Sequence, residues 1–365
     1  MRERICFPYK DDLQNIQEFA DAIETIHNRM MDPLSEMIFS NRLLFSLTEN
    51  HKYMKNILLQ TPGGKNLYHI FLANDCPKYI YGAGIRGKRL TELFPEYKWD
   101  GFIDKNCRED SCNGIKVVNL EQFAKRYRYR TKILISNMAN TEEIIGDLLK
   151  TGVYREDIYI LSEFDIENMK DIYFLPECME RLTDDDGAFI DIGCYDGKDS
   201  LTYLRRKNNK AANIYAFEPD RKNYELCKKN LAAYPNVTIF SVALSDVEEE
   251  LCIEGKGEMV HLDANGDSAI WTQLLDNVIP GKKIGFIKMD VEGYEEKVLH
   301  GAKQIISGQH PVLAISVYHK RGDIWRIPSL LLNLNHDYCF YMRHYGATSG
   351  DTVLYAIDKS KLLDK

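Results

Sequence analysis

At 365 residues the chain exceeds the size at which one hydrophobic core keeps growing, so two domains are expected. Hydrophobic residues at 44% and charged residues at 28% are ordinary globular proportions and exclude a disordered or fibrous chain. Forty-seven Lys and Arg against 55 Asp and Glu leave a net charge of −8, so there is no general attraction for phosphate backbones and nucleic acid is not the expected partner.

The opening residues Met1-Arg-Glu-Arg-Ile-Cys-Phe-Pro8 hold no apolar run of signal-peptide length, and no later segment approaches a membrane span. A cytoplasmic protein is expected. Nine cysteines occur without a Cys-x-x-Cys pair, which fits reduced thiols better than a disulfide framework or a zinc site; Cys107 and Cys112, the closest pair, read as two unrelated thiols in a polar loop. Leu13, Ile16, Phe19, Ile23 and Ile26 recur at three- and four-residue intervals, so residues 1–70 are expected to form a helical arm, a cap or an oligomerisation element. Residues 71–165 alternate short apolar runs with helical stretches, as at Lys78-Tyr-Ile-Tyr81 and Lys132-Ile-Leu-Ile135, and are expected to be a small Rossmann-like α/β module of about four strands. The pattern loosens over 166–186 and ends in Asp184-Asp-Asp186, where a linker is expected.

From residue 187 to the C-terminus the strands are more widely spaced: Ala188–Ile192, Asn213–Phe217, Val237–Val242, Ile284–Met289, Val312–Val317, Tyr338–Met342 and Thr352–Ile357. Helices fit between the first five. The loop Arg343–Asp351 is too short for a crossover helix, so a mostly parallel seven-stranded sheet ending in an antiparallel hairpin is expected, like the methyltransferase variant of the Rossmann architecture. Tyr338, Phe340, Tyr341 and Tyr345 near that hairpin suit either stacking on a sugar or strand core.

Four motifs carry chemistry. Asp191-Ile-Gly193-Cys-Tyr195-Asp-Gly197-Lys-Asp-Ser200 runs from a buried strand through a glycine-rich turn into a helix, where backbone can approach a ligand closely. Its spacing is Asp-x-Gly-x-x-x-Gly, not the dinucleotide pattern, and suits the amino-acid part of S-adenosylmethionine, with Asp191 near the ammonium; the alternative is a structural turn with Asp191 as a capping acid. Glu218-Pro219-Asp220 follows the second strand, where a carboxylate can accept both ribose hydroxyls, or where two acids simply flank a turn. Ala243-Leu244-Ser-Asp246 suits an adenine slot. The fourth is Lys288-Met-Asp290-Val-Glu292-Gly293, followed by Leu299-His-Gly301-Ala302.

Together these closely resemble the FkbM-type methyltransferases, whose hallmark is the Lys-x-Asp-x-Glu-Gly turn followed by a leucine-x-glycine-alanine helix end, over roughly Gly187 to the C-terminus. Cys194-Tyr195 departs from the family's frequent alanine-asparagine. The resemblance implies S-adenosylmethionine binding and O-methylation of a sugar, glycan or related small molecule, with Asp191, Gly193, Tyr195, Gly197, Ser200, Glu218, Pro219, Asp220, Ala243, Leu244 and Asp290 at the cofactor.

Methyl transfer needs alignment more than acid chemistry, yet the acceptor hydroxyl must lose a proton. Asp290 and Glu292 follow the fourth strand, His319 the fifth and His344 the sixth, all at the rim where such sheets bind ligands. His319 is the expected base, with Asp290 orienting it; Glu292 also suits a helix N-terminus, and an Asp, Glu and His can alternatively ligate a divalent metal. A second fingerprint, Gly82-Ala-Gly84-Ile-Arg-Gly87 with Asp104 downstream, satisfies the dinucleotide spacing and resembles nucleotide-sugar-binding modules; an NAD-dependent oxidoreductase or epimerase, or a bare scaffold, are its other readings. The acceptor loop Asp263–Ser268 carries no transferable code.

Overall fold

The computed structural model describes residues 16–73, 76–106, 108–127, 130–137, 140–164, 172–183, 187–208, 213–254, 261–263, 268–346 and 350–362. Cys107, the acidic run 184–186 and most of the acceptor loop, 264–267, lie outside them. The chain divides into two compact units, one of Met1–Leu47, Lys170–Arg343 and Thr352–Lys365, the other of Thr48–Met169 and His344–Asp351. The helical arm is therefore shared. Helices α1 (Ile16–His27) and α2 (Pro33–Thr48) fall almost wholly in the first unit, and α3 (Lys52–Leu58) and α4 (Pro62–Leu72) in the second. On α1 the apolar stripe turns inward only towards its C-terminal end: Ile26 is buried and Phe19, half-buried, meets Trp325 edge-on at 5.7 Å, while Ile16 is exposed.

In the second unit, β1 (Lys78–Tyr81), α5 (Ile85–Leu93), β2 (Gly101–Ile103), β3 (Ser111–Cys112), β4 (Ile115–Val118), α6 (Leu120–Arg126), β5 (Lys132–Ile135), α7 (Thr141–Lys150) and β6 (Ile158–Ile160) follow in order. Their sheet has six strands, not four, in the order β3-β4-β2-β1-β5-β6, all parallel except the short edge strand β3. The two strands not expected are β3 and β4, two and four residues long and paired antiparallel in a stretch that reads as a polar loop. Strand order reverses between β1 and β5, the place where open α/β sheets bind ligands. Ile103, Ile133, Ile135, Phe123 and Leu148 bury the sheet's helix-covered side.

The first unit resumes at residue 170. Residues 172–183, expected as linker, are packed: Tyr173, Phe174, Leu175 and Cys178 are buried, the last on α8 (Pro176–Met179), and Phe174 meets Phe189 and Phe286 at 6.2 and 6.0 Å. An apolar cluster hidden in a loose pattern outweighs its polar flanks.

Then come β7 (Ala188–Ile192), α9 (Lys198–Arg206), β8 (Ile214–Phe217), α10 (Arg221–Leu231), β9 (Val237–Phe240), β10 (Ala243–Leu244), β11 (Glu250–Glu254), β12 (His261–Asp263), β13 (Ser268–Gln273), α11 (Leu275–Val278), β14 (Ile284–Met289), α12 (Glu295–Gly301), α13 (Lys303–Gln309), β15 (Val312–Ser316), α14 (Asp323–Leu334), β16 (Tyr338–His344) and β17 (Thr352–Asp358). The main sheet runs β16-β17-β15-β14-β7-β8-β9, with β17 antiparallel to β15 and β9, β8, β7, β14 and β15 mutually parallel. This is the doubly wound, seven-stranded arrangement expected, its last two strands adjacent at one end. β14 and β15 are buried along their whole length, as strands covered by helices on both faces must be.

A second, four-stranded sheet, β10-β13-β11-β12, was not anticipated from the sequence. Of the aromatic residues near the hairpin, Tyr338, Phe340 and Tyr345 are core, and the Tyr338 hydroxyl donates to the Pro311 carbonyl. Among the described residues no helix is long and apolar enough to cross a membrane.

Candidate active site

Because β7, β8, β14 and β15 are parallel, the turns that follow them share one rim of the sheet. The turn after β7 is held by its glycines: Gly193 has φ +72°, and a Cβ there would lie 1.9 Å from the Asp290 carbonyl oxygen, so only glycine lets the β7 and β14 turns meet. Gly197 (φ +79°) ends the turn as the N-cap of α9, and its missing Cβ makes room for Cys227 and Leu231 of α10.

Beneath this turn Lys288, 2% exposed, donates to the Gly193 carbonyl at 2.7 Å and pairs with Asp191 and Asp199, each at 3.2 Å. Burial opposes its charge, but Asp191, Asp199 and Asp290 outweigh that and hold the ammonium well above the ordinary lysine value. Asp191, fully buried, also accepts from the Ser200 hydroxyl at 2.7 Å, so both of its oxygens face protein groups. Asp191, Gly193 and Ser200 are thus brought together, and Lys288 is the member that sequence reasoning passed over. Its signal was legible: a lysine inside the apolar strand Ile284–Met289 can be buried only if carboxylates meet it.

Glu218 leaves β8 and turns back towards β7. One oxygen accepts the Tyr195 N–H at 2.9 Å and the other the Asp220 N–H at 2.8 Å. Burial raises its carboxyl to about 7 against the pull of those two N–H groups. One donor per oxygen leaves a lone pair on each. Asp220 plays a different part, since its carboxylate accepts the Lys222 and Asn223 N–H groups and caps α10, and Pro219 lies between the two acids. Ala243 and Leu244 are buried in β10, beside β13, and a Cβ on Gly301 would lie 2.0 Å from the Ser245 carbonyl oxygen, which explains the glycine in the Leu-x-Gly-Ala helix end.

The turns after β14 and β15 bring the three expected catalytic residues together and add Glu295 and Asp323, and Tyr173 joins them from the segment before α8. His319 Nε2 stands 3.4 Å from both Asp290 Oδ1 and Glu292 Oε2, while Nδ1 lies 2.8 Å from Glu295 Oε1. Glu292 holds φ +52°, a left-handed conformation costly for a residue with a side chain. Glu295 Oε1 also accepts the Val291 N–H, tying the turn to α12. Tyr173 donates to Asp290 Oδ2 at 2.7 Å, and Asp323 Oδ2 accepts the Lys320 N–H at 2.7 Å. Burial pushes Asp323 up to about 7, with Glu295 adding to the rise.

Burial alone would lower the His319 value, but its bond to Glu295 and the charges of Glu295, Asp290 and Glu292 raise it to about 9. The surrounding acids therefore favour the charged ring and make His319 a stronger base than an ordinary histidine.

The second unit's fingerprint is assembled separately. Gly82 (φ +102°) follows β1, Asp104 Oδ2 accepts the Ala83 N–H at 2.8 Å, and a Cβ on Gly87 would lie 2.1 Å from the Gly82 carbonyl oxygen. Gly84 has open space around it.

Residues 191–348 match the family model of the methyltransferase FkbM domain. The 2-O-methyltransferase NoeI of Sinorhizobium fredii (strain NBRC 101917 / NGR234) is 26% identical over 156 aligned residues, which cover 36% of this chain and 63% of that protein. The chain thus spans 63% of the length of the curated relative it matches. The crystal structure of methyltransferase FkbM from Methylobacillus flagellatus KT is similar at 16% identity and a TM-score of 0.45, with 95% of this chain and 100% of that one covered. TrmK of M. capricolum, solved with its cofactor product S-adenosylhomocysteine, is 13% identical with a TM-score of 0.28, covering 51% of this chain and 69% of that one.

Proposed function

We propose, from the FkbM methyltransferase domain carried by residues 191–348, that this protein transfers a methyl group from S-adenosylmethionine to a hydroxyl oxygen of a sugar, glycan or related small molecule. The observation that carries the proposal is the join between two turns at one rim: Gly193 admits the β14 turn, Lys288 and Glu218 fix the backbone of the β7 turn, and Asp290, at the start of the β14 turn, meets His319.

The residues present fit the cofactor. The Gly193–Gly197 turn offers backbone that a ligand can approach closely, Glu218 keeps a lone pair on each oxygen for ribose hydroxyls, and Ala243 and Leu244 supply an apolar wall for the adenine. Asp191, Ser200 and Lys288 support the turn from below, and Asp220 sets the start of α10. S-adenosylmethionine supplies an activated methyl group whose thioether leaves without acid assistance. What the chain must do is orient the acceptor and draw off its proton, the part that falls to His319 in its neutral form with Asp290 orienting it, while Glu292 at the more exposed edge borders the acceptor's entrance.

In the second unit the turn after β1 sits at the point where strand order reverses, which favours a further role: binding a nucleotide sugar. Association into a homo-oligomer and residence in the cytoplasm complete the reading.

Calorimetric titration of the full chain with S-adenosylmethionine, S-adenosylhomocysteine, NAD and a UDP-sugar tests it. Binding of both adenosyl compounds is expected, and a separate UDP-sugar signal would assign the second turn. Binding of NAD without either adenosyl compound would replace the transferase with an oxidoreductase.

A further inference from the structure

We infer that the cluster formed by Asp290, Glu295 and His319, bordered by Glu292, is a binding site for a divalent cation of the Mg2+/Mn2+ class. The use of that cation rests on the methyl-transfer reading above; its binding does not.

Three buried atoms in this cluster lack hydrogen-bond partners: Asp290 Oδ1, Glu295 Oε2 and His319 Nε2. Their side chains are 25%, 1% and 9% exposed, so water does not readily serve the last two. Orphaned polar atoms of this kind are rare in folded proteins, and three on adjoining residues point to a missing occupant. Asp290, Glu295 and His319 each offer a ligand atom within 4.8 Å of the other two, a spread that one ion can bridge. Around Nε2 the spacing is informative: Asp290 Oδ1 and Glu292 Oε2 both stand at 3.4 Å, long for a hydrogen bond. Adjacent ligands of a six-coordinate ion with metal–oxygen bonds of roughly 2.1 Å are separated by roughly 3 Å.

The groups behind the cluster are arranged as metal sites arrange theirs. His319 Nδ1 is engaged by Glu295 Oε1, which leaves Nε2 as the nitrogen facing the acids, and Asp290 Oδ2 is engaged by the Tyr173 hydroxyl, which leaves Oδ1. Glu295 thus holds the ring through Oε1 while its Oε2 stays without a partner, and the Tyr173 hydroxyl behind Asp290 fixes which of that residue's oxygens remains available.

Charge adds to the case. Asp290, Glu292, Glu295 and Asp323 surround one imidazole, and the buried cation Lys288 is ion-paired with Asp191 and Asp199. Carboxylate oxygens with one imidazole suit a hard or borderline ion, and no cysteine belongs to the cluster. The left-handed backbone at Glu292 aims its carboxylate at the same nitrogen from the half-exposed side, so the ion keeps an open face. There it would bind the acceptor hydroxyl and make it more acidic, its proton passing to solvent.

The test uses the full chain stripped with chelator and titrated with MnCl2, bound Mn2+ being read from the loss of the free ion's paramagnetic resonance signal. One Mn2+ per chain is expected, displaced by excess MgCl2. Asp290→Asn and His319→Ala should each weaken binding tenfold or more, with near-ultraviolet circular dichroism reporting that each remains folded. Glu296→Gln, whose side chain pairs instead with Arg326, should bind as wild type. No uptake by the wild-type chain, with or without S-adenosylhomocysteine, overturns the inference and leaves an imidazolium among carboxylates as the occupant. Uptake unchanged in both folded variants overturns it as well. Mn2+ uptake in a chain that ignores S-adenosylhomocysteine would sustain this inference while removing the methyl-transfer reading.

Discussion

The two glycine turns of this protein are built on the same plan and finished differently. Each follows the first strand of a parallel sheet where strand order reverses, and each leans on an acid from the end of the next strand: Asp104 accepts the Ala83 N–H at 2.8 Å, Glu218 the Tyr195 N–H at 2.9 Å. Even the second bond of each acid repeats, to the N–H two residues on, at Asn106 and Asp220. Beneath them the resemblance ends. Ser136, a neutral hydroxyl, donates towards the Tyr81 and Gly82 carbonyls, whereas Lys288 joins the Gly193 carbonyl to two carboxylates. Beyond the turn, the first unit adds Asp290, Glu295 and His319. A ligand-ready loop is a property of the topology, but chemistry at it depends on what neighbouring strands deliver.

The sharpest way to break this comparison is to remove the two supports. Lys288→Met leaves Asp191 buried without its counter-ion and should cost about 3–5 kcal/mol in urea unfolding of the first unit, against about 1 kcal/mol for Ser136→Ala in the second. Equal losses would mean that Lys288 is not the keystone of its turn.

A smaller effect separates the acids. Glu218→Gln should weaken S-adenosylhomocysteine binding by about 1.5–3 kcal/mol, the scale of hydrogen bonds to a charged group. Burial raises Glu218 to about 7, so its protonated form dominates below that value and the ribose meets a poorer acceptor. Wild-type affinity should therefore fall as pH drops through about 7, and the Gln variant should stay flat. Stability has the opposite sign: a carboxyl raised in the folded state contributes most in acid, and loses that contribution as pH rises through about 7. At pH 8 the Gln variant should accordingly unfold no earlier than wild type.

The smallest expected change is Gly84→Ala. Open space and an ordinary φ leave unfolding within about 0.5 kcal/mol of wild type, while a bound UDP-sugar diphosphate would be crowded out; unaltered nucleotide binding would detach Gly84 from that site.

Legibility followed the same divide. The seven strands of the main sheet lie within a residue or two of expectation because each is a buried run bounded by turn residues, as at Ala188–Ile192 and Ile284–Met289. Glu218, Asp290 and His319 were visible from their positions at strand ends. Glu295 was not, since Tyr294-Glu-Glu-Lys297 reads as a solvated helix start until the fold sets one of its acids behind His319. Tyr173 reaches Asp290 across 117 residues of sequence, a relation no local pattern encodes. Asp220 was legible as an acid after a strand, but the same residue type serves a ribose or a helix cap, and only its bonds to Lys222 and Asn223 decide.

The order of strands in the main sheet also bears on how the chain comes off the ribosome. β17 pairs with β15 yet is synthesised after β16, so once residue 344 has emerged the edge of β15 still lacks its neighbour. Most of the second unit is a continuous stretch, Thr48–Met169, made well before that point. During vectorial synthesis the Rossmann-like module can close early, while the first unit waits with an unpaired, fully buried-type strand until Thr352–Asp358 arrives. A ribosome stalled inside the hairpin would leave that edge open to intermolecular pairing, and nascent chains arrested there are the species from which aggregation should start.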